Sequence, residues 1–165
     1  MDKLIKAAQF AEAREEHIAL GLAAPRGSGK TLTFWSLEYW YSNVVKVFTN
    51  PKEIHPVTIG ILDDFGRRFY KRDFSKVEQK EFMKFLQIVR TVFPMLIVTL
   101  PDWNLMDIDM RMFFYPIRLL DFGQLLIFGE LVYVKPATAS YLFEHILRSK
   151  SERSVSLSDA IGFFK

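Results

Sequence analysis

A glycine-rich segment between an apolar run and a helix-compatible run constrains the fold more than any other part of the chain. The segment reads Ala24-Pro25-Arg26-Gly27-Ser28-Gly29-Lys30-Thr31. Residues 18–23 before it are apolar, and residues 32–44 after it are compatible with a helix. A strand, a loop ending in Gly-Lys-Thr and a helix form the context of a phosphate-binding loop. The sequence therefore predicts such a loop, with Ala24 at the position of the first glycine of the pattern; a glycine-rich turn that only caps a helix is the alternative.

Each polar group of this loop has an expected task. Gly27 and Gly29 let backbone N–H groups turn toward a phosphate, and the following helix directs its positive end to the same place. Lys30 can reach β- and γ-phosphate oxygens, and Thr31 can offer its hydroxyl to Mg²⁺. The expected nucleotide-binding residues are Pro25, Arg26, Gly27, Ser28, Gly29, Lys30, Thr31 and Leu32.

An acidic pair follows a second strongly apolar run, at residues 57–62. The Mg²⁺ of a bound nucleotide needs a carboxylate on a neighbouring strand, usually acting through water. Asp63 ends the run and is the expected metal residue together with Thr31. Asp64 is expected to orient or deprotonate the attacking water. The alternative for this pair is a loop cap or a solvated turn.

Two residues farther along the chain complete the predicted catalytic set of Lys30, Asp64, Thr99 and Arg111. Thr99 is the polar residue near the end of the apolar run 95–100, where ligands of open α/β sheets bind. Its hydroxyl could sense the γ-phosphate or position water, or could bond to backbone. Arg111 could oppose the charge of the transition state, on the nucleotide of an adjacent subunit, or could pair with Asp107 at helical spacing.

A basic cluster lies between the acidic pair and the next predicted helix. It contains Arg67, Arg68, Lys71 and Arg72, with Phe69 and Tyr70 between them. Such a cluster can contact the phosphate backbone of DNA while the aromatic rings stack on bases. A charge run is also often only a solvated face. DNA is therefore a possible partner.

Hydrophobic periodicity predicts helices at 2–16, 31–41, 77–92, 104–114 and 137–148, and strands at 17–24, 44–49, 57–64, 95–100, 115–122 and 124–134. The interruption at Gly129-Glu130 allows a hairpin or a bulge in the last strand region. Alternation of strands and helices from 17 to 122 predicts an α/β fold, a three-layer P-loop NTPase core with a mainly parallel sheet. Residues 1–148 are expected to form this domain, and 149–165 a mobile C-terminal tail.

Composition limits the remaining possibilities. The chain has no cysteine, which excludes disulfides and thiolate metal sites, and its three histidines show no metal-ligand spacing. A net charge of +3 permits a nucleic-acid partner without arguing for one. The N-terminus has no signal-peptide pattern, and the longest uncharged apolar segments are too short to span a bilayer. A soluble, cytoplasmic protein is expected.

The motifs together resemble P-loop ATPases of the additional-strand class. The loop ending in Gly29-Lys30-Thr31 is similar to that of AAA+ proteins, and Leu62-Asp63-Asp64-Phe65-Gly66 is similar to the second motif of DnaC-like helicase loaders. The middle of the chain also resembles small ATPases of archaeal viruses and plasmids, some of them similar to the Zot and HerA–FtsK groups. In those proteins an acidic pair, a helix ending near Arg-Thr, a strand ending in Thr and a later Asp and Arg follow one another in sequence. The corresponding residues here are Asp63-Asp64, Arg90-Thr91, Val98-Thr99, and Asp107 with Arg111. The resemblance covers roughly residues 17 to 120.

This resemblance implies binding of ATP and Mg²⁺ and work as a homo-oligomer. Ala24 in place of glycine is compatible with it if that position needs no positive φ. Asp64, where many relatives carry Glu, shortens the reach to water. Three hypotheses remain open: an ATPase that remodels or moves along DNA or a protein–DNA complex, a nucleotide-dependent switch with weak hydrolysis, and a small-molecule kinase with residues 67–72 as a lid.

Overall fold

The computed structural model describes residues 2–48, 54–63, 84, 86–89, 92–106 and 108–147. In chain order, its helices and strands are α1 (Asp2–Ala13), β1 (Ile18–Ala23), α2 (Lys30–Trp40), β2 (Val45–Phe48), β3 (Ile59–Leu62), β4 (Met95–Leu100), a 3₁₀ turn (Trp103–Leu105), α3 (Ile108–Arg111), β5 (Tyr115–Asp121), β6 (Gln124–Ile127) and β7 (Glu130–Tyr133). Residues 84, 86–89, 92 and 139–147 are also helical and fall within two of the predicted helices.

All seven strands form one sheet in the order β2-β3-β4-β1-β5-β6-β7. The pairings from β2 through β5 are parallel, and the β5–β6 and β6–β7 pairings are antiparallel. The prediction of an α/β fold with a mainly parallel sheet is therefore confirmed. Strand β4 lies between the strand that precedes the phosphate loop and the strand that leads to Asp63. Because parallel strands end on the same side of a sheet, β1, β3 and β4 bring their carboxyl ends together.

Apolar side chains pack on both faces of the sheet, which gives three layers. Along β4, Met95 and Ile97 belong to a cluster that contains side chains of α1 and α2. Leu96, Val98 and Leu100 belong to a second cluster, together with Leu86, Val89 and Phe93 and with Met110 of α3. This alternation places successive residues of a strand on opposite faces. It explains why β4 is apolar almost throughout, since both faces are covered.

The structure corrects one predicted element and decides between the alternatives left open for another. The helix predicted at 104–114 is divided into the 3₁₀ turn and α3. Asp102 caps the 3₁₀ turn by accepting a hydrogen bond from the Asn104 N–H at 2.9 Å, and Met106 has an extended backbone that ends the turn. The strand region 124–134 is a hairpin. Phe128 and Gly129 have φ of 50° and 77°, the backbone of a two-residue turn whose twist matches the flanking strands.

No helix in the described part of the chain is both long enough and apolar enough to cross a membrane.

Candidate nucleotide-binding site

The phosphate loop connects β1 to α2 and has the backbone shape that anion binding requires. Gly27 and Gly29 have φ of 79° and 87°, in the left-handed region that other residues rarely adopt. The Ser28 N–H donates to the Pro25 carbonyl at 3.3 Å and closes a tight turn. Gly29 is the N-cap of α2 and has no side chain to cap it. An anion can therefore take the place of the cap at the positive end of this helix.

Lys30 is the first residue of α2, and its side chain crosses the loop to Ala24. Its side chain is buried, and Nζ donates a hydrogen bond of 3.0 Å to the carbonyl of Ala24. An ammonium group has three donors, so this bond occupies one of them. Ala24 contributes its backbone here, and positive φ in non-glycine residues of the described chain is confined to Glu15 and Phe128. Alanine at the first motif position is thus compatible with the loop.

The hydroxyl of Ser28 is a polar group that a ligand would satisfy. Its Oγ is buried and has no hydrogen-bond partner among the residues that the structure describes. A buried hydroxyl without a partner costs free energy, about 1–3 kcal/mol. The position of this hydroxyl inside a phosphate loop fits a phosphate oxygen as its acceptor.

Three oxygen-bearing side chains converge beside the loop. Thr99 Oγ1 donates to Oδ1 of Asp63 at 2.6 Å, and Thr31 Oγ1 approaches the same oxygen at 3.4 Å. The parallel register pairs Leu62 with Val98, so the residues that follow them lie side by side. Thr99 is fully buried. Hydrogen bonds to an ionised carboxylate are stronger than neutral ones, so the short bond fixes the direction of the Asp63 carboxylate.

The described residues have the mainly parallel α/β sheet and the strand–loop–helix connection that the sequence predicted. The donor set also suits the metal that accompanies a nucleotide. Mg²⁺ prefers hard oxygen ligands and is bound through one or two carboxylates, hydroxyls, waters and substrate phosphates. The Thr31 hydroxyl and the Asp63 carboxylate are such groups and already face each other. The long Thr31–Asp63 contact is weak, so the Thr31 oxygen can turn to a cation at little cost.

Arg111 occupies the last turn of α3. Its Nε donates to the Met106 carbonyl at 2.9 Å, and no described residue of the phosphate loop is hydrogen-bonded to it. Pro25 and Arg26 are exposed at the tip of the loop, and Leu32 is partly buried in α2. The remaining predicted residues lie outside the described part of the chain: Asp64, Arg67, Arg68, Lys71, Arg72, Asp107 and the tail 149–165.

Contacts from the turn between β5 and β6 were missed by the sequence analysis. The Gly123 N–H donates to Thr33 Oγ1 at 3.0 Å. The ring of Phe122 lies so close to Gly29 that a Cβ on that glycine would be 3.1 Å from Phe122 Cδ2. No local sequence pattern predicts these contacts, because they join parts of the chain that are far apart in sequence.

No family model matches the chain, and no curated protein is significantly similar to it. Among solved structures, it is similar to the RuvB Holliday junction branch migration motor of Thermotoga maritima, with 20% sequence identity and a TM-score of 0.44 over 72% of this chain. The chain spans 43% of the length of that protein. So distant a likeness carries no argument about function, and the comparisons leave the resemblance to helicase loaders and virus ATPases as an expectation.

Proposed function

We propose that the protein binds Mg-ATP and hydrolyses it. The convergence of Thr31, Asp63 and Thr99 beside the phosphate loop carries this proposal. A loop that only capped a helix would have no use for a buried lysine and an aligned carboxylate at its mouth. ATP is the proposed substrate because the loop has the pattern of a phosphate-binding loop, and because the adjacent Thr31 hydroxyl and Asp63 carboxylate are oxygen donors suited to the Mg²⁺ of a triphosphate.

In this proposal each residue contributes charge or orientation. Lys30 offsets negative charge on the phosphate oxygens, and the N–H groups of the loop bind the β-phosphate. Thr31 and Asp63 would hold the Mg²⁺, which would supply positive charge against the phosphates of the nucleotide. Thr99 acts through Asp63, since its hydroxyl is bonded to that carboxylate; we therefore propose it as a positioning residue.

The hydrolytic step itself needs a water molecule and a base. Water attacks the γ-phosphorus, the bond from phosphorus to the bridging oxygen breaks, and ADP and phosphate leave. We propose that Asp64 orients this water and receives its proton. Arg111 is proposed to offset the transition-state charge at the nucleotide of a neighbouring subunit, which requires a homo-oligomer.

The work driven by hydrolysis is proposed to be remodelling of DNA, or of a protein–DNA complex, or movement along it. The basic residues 67–72, with two aromatic residues among them, support this part of the proposal. Their side chains would contact the phosphate backbone of DNA, and the affinity from such contacts falls steeply as the salt concentration rises. A stimulation of hydrolysis by DNA that disappears at high salt is the expected behaviour.

The test is an ATPase assay with and without DNA on the wild type, Lys30→Ala and Lys3→Ala. Lys3 lies on α1 and is 80% exposed, where it pairs with Glu130, so it serves as the control for removing a lysine. We expect Lys30→Ala to lose ATP turnover and Lys3→Ala to keep it. Full activity of Lys30→Ala would refute the site.

Two other outcomes would change the function while keeping the site. Tight ATP binding with negligible turnover, with and without DNA, would indicate a nucleotide-dependent switch. Transfer of labelled γ-phosphate to a nucleoside, without hydrolysis stimulated by DNA, would indicate a kinase.

A further inference from the structure

The turn between β5 and β6 is attached to the phosphate loop through one buried hydroxyl. Thr33 is fully buried in α2. Its Oγ1 accepts a hydrogen bond of 3.0 Å from the Gly123 N–H and donates one of 2.8 Å to the Gly29 carbonyl. The hydroxyl therefore acts as donor and acceptor at once, and its two hydrogen bonds connect the turn to the N-cap of α2.

The carbonyl at Gly29 controls the direction of a phosphate-binding group. A peptide unit is planar and trans, so the Gly29 C=O and the Lys30 N–H point in opposite directions. Hydrogen bonds from the Thr33 N–H at 2.9 Å and from its hydroxyl hold this carbonyl inward along α2. They consequently aim the Lys30 N–H outward, toward the space where the loop would bind a phosphate.

The turn itself has little freedom to move away. Gly123 has φ of 73°, and a Cβ there would lie 2.6 Å from the carbonyl oxygen of Val134. Its own carbonyl accepts from the Val134 N–H at 2.7 Å. Phe122, the preceding residue, places its ring against Gly29. The turn is thus held on one side by the segment after β7 and reaches the phosphate loop on the other.

We infer that the Phe122-Gly123 turn is part of the nucleotide site and that Thr33 is the positioning residue through which it orients the phosphate loop. This inference rests on the proposed function, because it concerns the same loop. It gives residues after 121 a role in binding the triphosphate, beyond the part of the chain that carries the motifs.

The chain offers a matched control one turn farther along α2. Ser36 is also fully buried; its Oγ donates to the Leu32 carbonyl at 2.8 Å and accepts from the Ala137 N–H at 3.0 Å. This relay has the same chemistry as that of Thr33 and also ties α2 to the C-terminal part of the chain. It does not reach the Gly29 carbonyl.

The experiment measures the affinity for Mg-ATP and for inorganic triphosphate with Mg²⁺ by calorimetry, together with the melting temperature without ligand. The proteins are the wild type, Thr33→Val, Thr33→Ser and Ser36→Ala. We expect Thr33→Val to weaken the binding of both ligands about fivefold, since it removes the hydroxyl's hydrogen bond to the Gly29 carbonyl and leaves the Gly123 N–H without its acceptor. Thr33→Ser restores both affinities, and Ser36→Ala lowers the melting temperature while keeping them within about twofold of wild type.

Two results would overturn the inference: affinities of Thr33→Val within about twofold of wild type, or an equal loss in Ser36→Ala, which would indicate general loosening of α2. If Thr33→Val does not fold, Phe122→Ala is the second variant, and we expect it to weaken both ligands equally. A loss for ATP without a loss for triphosphate would place the ring against the base and refute its role in the loop. A wild type that binds neither ligand refutes the proposed function itself.

Discussion

The hydroxyl of Thr99 donates a hydrogen bond of 2.6 Å to Oδ1 of Asp63, from the strand next to the one that leads to this aspartate. Thr99 is fully buried, whereas Asp63 is partly exposed beside the phosphate loop. Because Thr99 is fixed in the sheet, the bond holds the Asp63 carboxylate in one orientation beside the phosphate loop. This arrangement is more specific than either residue alone, because it fixes which oxygen faces Thr31.

Replacing Thr99 by valine tests this positioning. Valine keeps the shape and β-branching but removes the donor, so the Asp63 carboxylate loses its charge-assisted hydrogen bond. We expect kcat for ATP to fall about tenfold, which corresponds to about 1.4 kcal/mol of transition-state stabilisation. Thr99→Ser should recover most of the rate. A valine variant with the rate of wild type would show that the bond has no part in turnover.

Replacing Asp63 by asparagine tests the metal. The amide oxygen can still accept from Thr99, so the substitution removes charge with little change of shape. We expect the Mg²⁺ concentration at half-maximal ATPase activity to rise by about 10- to 100-fold, the range for disturbing a group that supports a bound metal. Glu16→Gln, a substitution at an exposed carboxylate paired with Arg14, serves as the control. An unchanged Mg²⁺ dependence of Asp63→Asn would contradict the assignment.

Substituting Ala24 by glycine tests whether the loop needs the glycine that its pattern has at this position. Ala24 adopts no positive φ, so the motif gains nothing from glycine here. We expect the affinity for ATP to stay within about twofold of wild type. The free energy of unfolding should fall by about 0.5–1 kcal/mol, because glycine loses more conformational entropy on folding. Calorimetry and urea denaturation measure the two quantities. An affinity more than about tenfold higher would mean that the position requires glycine.

Alanine substitutions at Gly27 and Gly29 separate backbone strain from packing. Both residues have positive φ, so each substitution should cost about 1–2 kcal/mol. A Cβ on Gly29 would also press on the Phe122 ring, whereas a Cβ on Gly27 would meet no atom within 4 Å. We therefore expect Gly29→Ala to lose more unfolding free energy than Gly27→Ala in urea denaturation without ligand. Equal losses would argue against the contact with Phe122.

Elements covered on both faces were the easiest to predict from sequence. The run Met95–Leu100 is a strand with the predicted bounds, because burial on both sides makes it continuously apolar. The region 104–114 was harder to predict. Its apolar residues suggest one helix, but the Asp102 cap and the extended Met106 divide it, and such local competition is not visible in hydrophobic spacing.

In the site, too, residues that are neighbours in sequence could be predicted, and contacts between distant parts of the chain could not. Gly27, Gly29, Lys30 and Thr31 are recognisable as neighbours in sequence, since a phosphate loop is built from one continuous segment. The contacts of Thr33 with Gly123 and of Gly29 with Phe122 were missed. They depend on β5 lying beside β1 and on the turn that follows it, and neither is encoded in a short pattern.

Short-range chemistry and periodicity were enough to predict the phosphate loop, the apolar strands and the alternation of strands and helices that makes an α/β fold. The sequence also placed Asp63 and Thr99 near the ends of strands. The three-dimensional fold was needed to show that these two strand ends are adjacent, that Thr31 faces the same oxygen of Asp63, and that the β5–β6 turn contacts the loop. Strand order and register are set by the packing of the whole sheet. Strand β4 lies between β1 and β3, and this position brings Thr99 within hydrogen-bonding distance of Asp63.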